Sequence, residues 1–343
     1  MKDYSFRAAP FKMYGMANYE KNGILERVPR SLREEIPNIE FFGRRIPGAR
    51  LAFRTDSPRF EITIHMESAG PDYGMAIFAC QSASVYVGSH TKPRYLGLAF
   101  IQSYERPIAK ATFTKDPVME DVLIFMPRNE VITDIMISVE DDAVLEPPTP
   151  YKYPKPVVYY GSSITEGGHS SNPGNVYNAL LSRWLDVDYL NLGFSGSAQG
   201  ETAMADFINT LDMCAFVYDY DHNAPSVEHL AQTHEPFYRR IREAHPDLPI
   251  LMLSRPDADY RDAVPRLEVI RRTYENALKA GDKNVWFIDG GTFYGTEDRD
   301  VCSGDTTHPN DLGMYRMAQT IRPVLQEMLD KVYGKDYPAP TRV

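Results

Sequence analysis

Two serines close an apolar run near the middle of the chain: Val157-Val158-Tyr159-Tyr160-Gly161-Ser162-Ser163-Ile164-Thr165. By itself this is the composition of a tight turn, in which glycine and serine are common. It is also where a nucleophile would be presented. A serine hydroxyl attacks an ester at neutral pH only if a neighbouring base takes its proton. Histidine suits that task, and a carboxylate on its second ring nitrogen fixes the tautomer and stabilises the imidazolium. Asp305-Thr306-Thr307-His308 carries both groups, three positions apart. The tetrahedral intermediate also needs donors aimed at its oxyanion. A glycine amide, the nucleophile's own amide and an asparagine side chain can supply three. Candidates stand in Gly193-Phe194-Ser195-Gly196-Ser197 and in Asp221-His222-Asn223-Ala224. The equipment is that of acyl transfer.

These segments need a scaffold that gathers them. Five short apolar runs, Val157–Tyr160, Tyr189–Leu192, Ala215–Tyr220, Ile250–Leu253 and Val285–Ile288, read as buried parallel strands. Helical patterns alternate with them. Val227, Leu230, His234, Phe237 and Ile241 step by three and four, as do Met314, Met317, Ile321, Val324 and Met328. Strand and helix in alternation predict a three-layer α/β/α domain over residues 157–343, with a parallel sheet. Ligands of such sheets bind beyond the carboxyl ends of the strands. Every candidate segment leaves one of those ends or, like Asp305–His308, precedes the last helix.

Residues 1–148 have a different texture. Short alternating or apolar runs (Arg59–Met66, Ser84–Val87, Val122–Phe125, Ile135–Val139) are separated by turn residues, and long amphipathic helices are missing. This predicts an all-β, jelly-roll-like sandwich. Pro147, Pro148, Pro150, Pro154 and Pro156 mark residues 149–156 as the linker, a stretch that favours neither helix nor central strand. Tyr86, Tyr95 and Tyr104 have the look of exposed aromatics that could stack on sugar rings, although tyrosine is ordinary in strands.

Composition removes several alternatives. The formal net charge of -10 leaves no basic footprint for nucleic acid or anionic membrane. No apolar run approaches the roughly 20 residues of a spanning helix. The N-terminal MKDYSFRAAPFKMYG has no apolar signal region, and three scattered cysteines without a CxxC suggest reduced thiols, so a cytoplasmic location is expected.

The blocks resemble the SGNH (GDSL) hydrolases, named for Ser, Gly, Asn and His in four separate motifs. The first, usually G-D-S-[IL]-[TS], is matched by Gly161-Ser162-Ser163-Ile164-Thr165. The second, around N-x-G-x-S-G, is matched by Asn191-Leu192-Gly193-Phe194-Ser195-Gly196, and D-x-x-H is met by Asp305 and His308. The third, usually G-x-N-D, reads Asp221-His222-Asn223-Ala224 and lacks its glycine and its following Asp. Ser162 stands where the family has Asp. The resemblance implies Ser163 as nucleophile, His308 as base, Asp305 as its orienter, and an oxyanion hole of the Ser163 and Gly196 amides with the Asn223 side chain. It implies no cofactor and no metal. With a β domain in front, it resembles the two-domain branch shared with esterases that deacetylate sugars. The implied partner is a small-molecule or oligosaccharide acyl ester, and a homo-oligomer is left open.

Competing readings attach to several residues. Ser195 is a rival nucleophile, but Gly193-Phe194-Ser195-Gly196-Ser197 lacks the last glycine of G-x-S-x-G. Asp219, Asp221 and His222 could hold a metal, the arrangement of a metal-dependent deacetylase. His169, His222 and Arg255 are candidates for lining the substrate site. His229 and His234 are five apart, not at H-E-x-x-H spacing, and His234 falls on an apolar stripe. A silent carbohydrate-binding protein on the same fold is the remaining alternative.

Overall fold

The computed structural model describes residues 1–340 apart from 18, 20–22, 73, 258, 260 and 261. The first half is built on antiparallel strands: β1 (Lys2–Ser5), β2 (Lys12–Tyr14), β3 (Arg50–Thr55), β4 (Arg59–Met66), β5 (Ser82–Val87), β6 (Arg94–Ser103), β7 (Arg106–Thr114), β8 (Glu120–Phe125), β9 (Ile132–Val139) and β10 (Leu145–Glu146). They hydrogen-bond in the order β1-β9-β4-β7-β6-β5-β8-β3-β10, and β2 pairs with β3 beside this path. In β4, exposed and buried residues alternate from Arg59 to Met66, as a strand with one face on a core requires. Phe53, Phe60, Ile62, Val85, Ile101 and Ile137 come from five different strands and meet in one buried cluster, so the sheet curls around its own core. Three short helices, α1 (Arg30–Glu35), α2 (Glu40–Gly43) and α3 (Ile77–Cys80), lie in its connections.

The second half holds a five-stranded sheet: β11 (Tyr153–Gly161), β12 (Val187–Gly193), β13 (Ala215–Asp219), β14 (Ile250–Leu253) and β15 (Val285–Ile288). All pairs are parallel and the order is β12-β11-β13-β14-β15. Counted from the first strand this is 2-1-3-4-5, the doubly wound arrangement in which the chain reverses direction of winding beside β11. The connecting helices are α4 (Ser163–Glu166), α5 (Tyr177–Leu185), α6 (Thr202–Asn209), α7 (Val227–Ala244), α8 (Ala263–Lys279) and α9 (Asp311–Tyr333). The two predicted stripes face the core: Leu230, His234, Phe237 and Ile241 of α7 are buried, as are Met314, Met317, Ile321 and Met328 of α9. Tyr160, Tyr218 and Phe237 stack, with Tyr160 and Phe237 rings 5.0 Å apart and nearly coplanar.

Two sequence expectations are corrected. The strand expected at Val157 begins at Tyr153, so Pro154 and Pro156 enter a central strand. The ladder tolerates them because pairing with β12 shifts register between Tyr153 and Val157 and pairing with β13 begins only at Val157. Tyr86 is 6 % exposed, packed under the Arg183 guanidinium rather than offered to solvent, whereas Tyr95 and Tyr104 are exposed. Among the described residues no helix is long and apolar enough to cross a membrane.

The two sheets are tied by side chains. Arg50 of β3 is fully buried, pairs with Asp188 of β12 and lies over the Tyr189 ring. His90 meets Asp186 at 2.8 Å. Arg27, ahead of α1, donates to the carbonyls of Gly193 and Phe42. The antiparallel half is thereby held along β12, the edge strand of the parallel sheet, from Asp186 at its start to Gly193 at its end.

Candidate active site

β11 ends at Gly161, and the chain turns at once into α4. A side chain at 161 would strike Thr165 Oγ1 and the Asp219 carbonyl at 2.2 and 2.5 Å, so only glycine lets the turn sit this close to β13. Ser162 caps α4, its hydroxyl accepting from the Ile164 amide at 3.2 Å. Ser163 is therefore the first residue of the helix, half-buried, and its amide is one of those with no acceptor one turn back. The turn is clamped by Thr165, whose hydroxyl donates to Asp219 at 2.6 Å, and by Tyr177, which donates to the same carboxylate at 2.9 Å. Burial pushes the Asp219 carboxyl up to about 7, against the lowering effect of those two hydroxyls.

His308 arrives from the loop before α9. Ser303 and Pro309 form an isolated antiparallel bridge, and Asn310, rather than Pro309, starts the helix by accepting from the Leu312 and Gly313 amides. Ser163 Oγ lies 2.8 Å from His308 Nε2, and His308 Nδ1 lies 2.6 Å from Asp305 Oδ2. The other oxygen, Oδ1, accepts from the Thr307 amide at 3.0 Å and the His308 amide at 2.7 Å. Burial raises the Asp305 pKa, but the hydrogen bonds from the His308 ring and the two amides outweigh it and hold the carboxyl well below the usual range.

The second block approaches from β12. Gly196 has φ +66°, a conformation that an L side chain rarely adopts, and its amide has no protein acceptor among the described residues. Asn223 reaches across from the loop after β13, its Oδ1 accepting from the Ala198 amide at 3.4 Å. That bond engages the carbonyl end of the amide and leaves Nδ2 as a donor. Ser195 lines the same cavity as Ser163 and His308, but the hydroxyl bonded to His308 is that of Ser163; the Ser195 amide donates to Glu166 Oε2 at 2.8 Å.

The remaining candidates separate. His169 packs its ring against His308, centroids 4.5 Å apart, with Nδ1 3.8 Å from Asp305 Oδ2. Burial, and then the neighbouring His308, lower its pKa. His222 and Arg255 lie elsewhere. Arg255 is buried and grips Asp257 with Nε and Nη2 at 2.7 and 2.6 Å, and His222 bonds the same carboxylate at 3.0 Å. Neither lines the cavity at Ser163. Asp219, Asp221 and His222 do not converge on a common point. Asp219 faces Thr165 and Tyr177, Asp221 accepts from the Arg255 amide, and His222 turns to Asp257. The group whose ligand atoms do lie within 4.8 Å of one another is His169, Asp305 and His308. His234 is a core residue bonded to Thr273, and burial lowers its pKa to about 3.

A cavity of about 140 Å³ opens beside Ser163 and His308. Half of its wall was not legible as site residues: Phe42, Arg45, Asp72, Met75, Arg128 and Asn129 come from loops of the antiparallel half. The polar run Arg128-Asn129-Glu130 after the apolar β8 is the one sequence signal that pointed there. A larger cleft of about 490 Å³ lies by the residues that precede β14 and β15, at the opposite edge of the sheet. Its lining includes no serine, cysteine or histidine.

The sequence profile of the GDSL-like lipase/acylhydrolase family matches residues 154–326, half of the chain, and the chain belongs to that family. It is a serine hydrolase of the esterase class. Among similar solved structures, a protein named as a GDSL-like lipase from Bacteroides ovatus is 25% identical, with 96% of this chain and 98% of that one covered at a TM-score of 0.85. The salicylyl-acyltransferase SsfX3 of a tetracycline biosynthetic pathway is 21% identical, covering 95% and 97% at 0.75. A family two carbohydrate esterase from Clostridium thermocellum, in complex with cellohexaose, is 14% identical, covering 82% and 93% at 0.61. No protein of curated function matches the chain.

Proposed function

We propose that the protein hydrolyses short-chain acyl esters of carbohydrates, acetyl esters first, through a Ser163-His308-Asp305 triad. The observation that carries this reading is the unbroken chain of contacts from Asp305 through His308 to Ser163, at 2.6 and 2.8 Å. Ser163 Oγ attacks the ester carbonyl carbon as its proton passes to His308 Nε2. The Ser163 and Gly196 amides and the Asn223 side chain hold the oxyanion. Collapse breaks the bond to the alcohol oxygen, which takes the proton from His308, and leaves acyl-Ser163. Water then attacks with its proton going to His308, and Ser163 departs with that proton, releasing the acid. Asp305 keeps Nδ1 protonated and stabilises the imidazolium; its depressed pKa keeps it anionic while it does so.

The carbohydrate part of the reading is supported by the likeness in fold to a family two carbohydrate esterase and to an acetyl xylan esterase from Butyrivibrio proteoclasticus. We read residues 1–148 as a jelly-roll-like domain that shapes the site, residues 149–156 as the linker, and residues 157–343 as the hydrolase domain. The curled antiparallel core and its loops at the Ser163 cavity support that division. To test the function, the protein is incubated with 4-nitrophenyl acetate and with a serine-directed phosphonate. Hydrolysis that survives chelation, with stoichiometric labelling of Ser163 abolished in Ser163→Ala, supports it. Full activity in that variant overturns it.

A further inference from the structure

The cavity wall opposite the catalytic pair carries two guanidinium groups that the proposed reaction does not use. Arg128, after β8, is only 4 % exposed, yet among the described residues its guanidinium meets sulfur partners, the Met75 thioether and the Cys80 thiol, which are weak hydrogen-bonding groups. Its Nε is buried without a partner. Arg45, after α2, lies with its guanidinium 3.7 Å from the centroid of the Phe41 ring, and its Nε is likewise buried without a partner. Neither forms an ion pair among the described residues, whereas buried Arg50 pairs with Asp188 and buried Arg27 donates to the Gly193 carbonyl. A buried guanidinium whose donors meet no carboxylate directly is costly and marks a place where an anion is expected to arrive. Burial lowers the Arg45 pKa, the carboxylates of Glu166, Glu130 and Asp72 raise it without outweighing burial, and the like charge of Arg128 adds to the lowering.

Two carboxylates face the same cavity, and both are engaged. Asp72 Oδ2 accepts from Asn129 Nδ2 at 2.6 Å, and Glu166 Oε2 accepts from the Ser195 amide. They offset the arginines at a distance without closing their donor forks. Arg128 Nη1 lies 3.4 Å from the position a side chain at Gly168 would take. The same position is 3.5 Å from His308 Cδ2, so Arg128 stands on the histidine side of the nucleophile. The oxyanion residues Gly196 and Asn223 do not line this cavity. Because His308 must protonate the leaving oxygen, the histidine side is where the alcohol lies.

We infer that Arg128, assisted by Arg45, recognises a carboxylate on the alcohol portion of the substrate, so that the preferred substrates are acyl esters of acidic sugars such as uronates. This rests on the esterase reading for which end of the ester lies there, but the anion site itself does not depend on turnover. A planar fork with two parallel N–H donors matches a carboxylate bidentately.

Calorimetry with methyl glucuronoside and methyl glucoside separates the two ideas. The acidic glycoside binds at least about tenfold more tightly, a preference that shrinks as salt is added. Arg128→Gln abolishes the preference, and Arg45→Gln, at a half-exposed position, reduces it. Equal affinities, no saturable binding of the glucuronoside by the wild-type protein, or an undiminished preference in both variants overturns the inference. Hydrolysis of 4-nitrophenyl acetate is measured on the same wild-type sample. Its absence with the preference intact removes the esterase reading and leaves the anion site standing; its presence without the preference does the reverse.

Discussion

Asp305 engages His308 twice within one turn of chain: Oδ2 meets Nδ1 of the ring at 2.6 Å, and Oδ1 accepts the His308 backbone amide at 2.7 Å. The carboxylate thus sets both the place of the residue and the direction of its imidazole. That double hold leaves Nε2 aimed at Ser163. It also joins two residues three apart in sequence without help from another strand.

Removing the nucleophile isolates its share. Ser163→Ala is expected to lower kcat by at least about 10³-fold with little change in KM, because the hydroxyl matters chiefly in the transition state. Ser195→Ala retains phosphonate labelling at Ser163. Steady-state kinetics and intact-protein mass measure both, and labelling that moves to or depends on Ser195 would reassign the nucleophile.

Asp305→Asn tests the orienter. A fall in kcat of about 10²–10⁴ is expected, since the amide permits the wrong imidazole tautomer. The carboxyl pKa is depressed, so its contribution to stability is complete above the unfolded value of ~3.9 and is lost only as pH falls through the lower folded value. The difference in Tm between wild type and Asp305→Asn should therefore be the same at about pH 5 and about pH 8. A difference that shrinks between those two pH values would show that the carboxyl titrates there.

The oxyanion donors can be separated by size. Asn223→Ala is expected to lower kcat about 10²–10³-fold without loss of the fold. Gly196→Ala meets open space for the new methyl group, but the φ of +66° strains it, so it should lower kcat through displacement of the amide. A normal rate in both variants, by the same chromogenic assay, would exclude these groups from the oxyanion hole.

Asp219 carries a pH signature of the opposite sign. Its folded pKa of about 7 is raised by burial above the unfolded value, so the stability it contributes is full below ~3.9 and is lost as pH rises through about 7. Thermal melts across that window should show wild type losing Tm relative to Asp219→Asn as pH increases. A wild-type advantage that grows with pH would mean the carboxylate, not the acid, is the form that Thr165 and Tyr177 stabilise.

The parallel half was legible because its signals are local. Ile250–Leu253 and Val285–Ile288 were read to the residue, since a strand buried on both faces is a continuous apolar run bounded by polar turns. The start of β11 was missed because a register shift, which depends on β12, is what admits Pro154 and Pro156. In the antiparallel half, β4 matched its alternating pattern, whereas β3, β6 and β7 went unread: β3 carries Arg50 and Arg54, whose charges are met by Asp188 and Glu146 far along the chain, and β6 and β7 are a pair with many half-exposed or exposed positions. Tyr86 looked exposed for the same reason, as the Arg183 that covers it belongs to α5.

Taken alone, the sequence determined the kinds of groups available, the strand ends that present them, and the family that uses Ser, Gly, Asn and His in this order. Those properties are written in residue type and short-range spacing. Only the tertiary structure decided that His308 meets Ser163 across 145 positions, that Arg255 and His222 are taken up by Asp257, and that Arg45 and Arg128 line the cavity at Ser163. Such relations arise from how the curled sheet docks along β12, the edge strand of the parallel one. No local pattern encodes a distance between groups that only packing brings together.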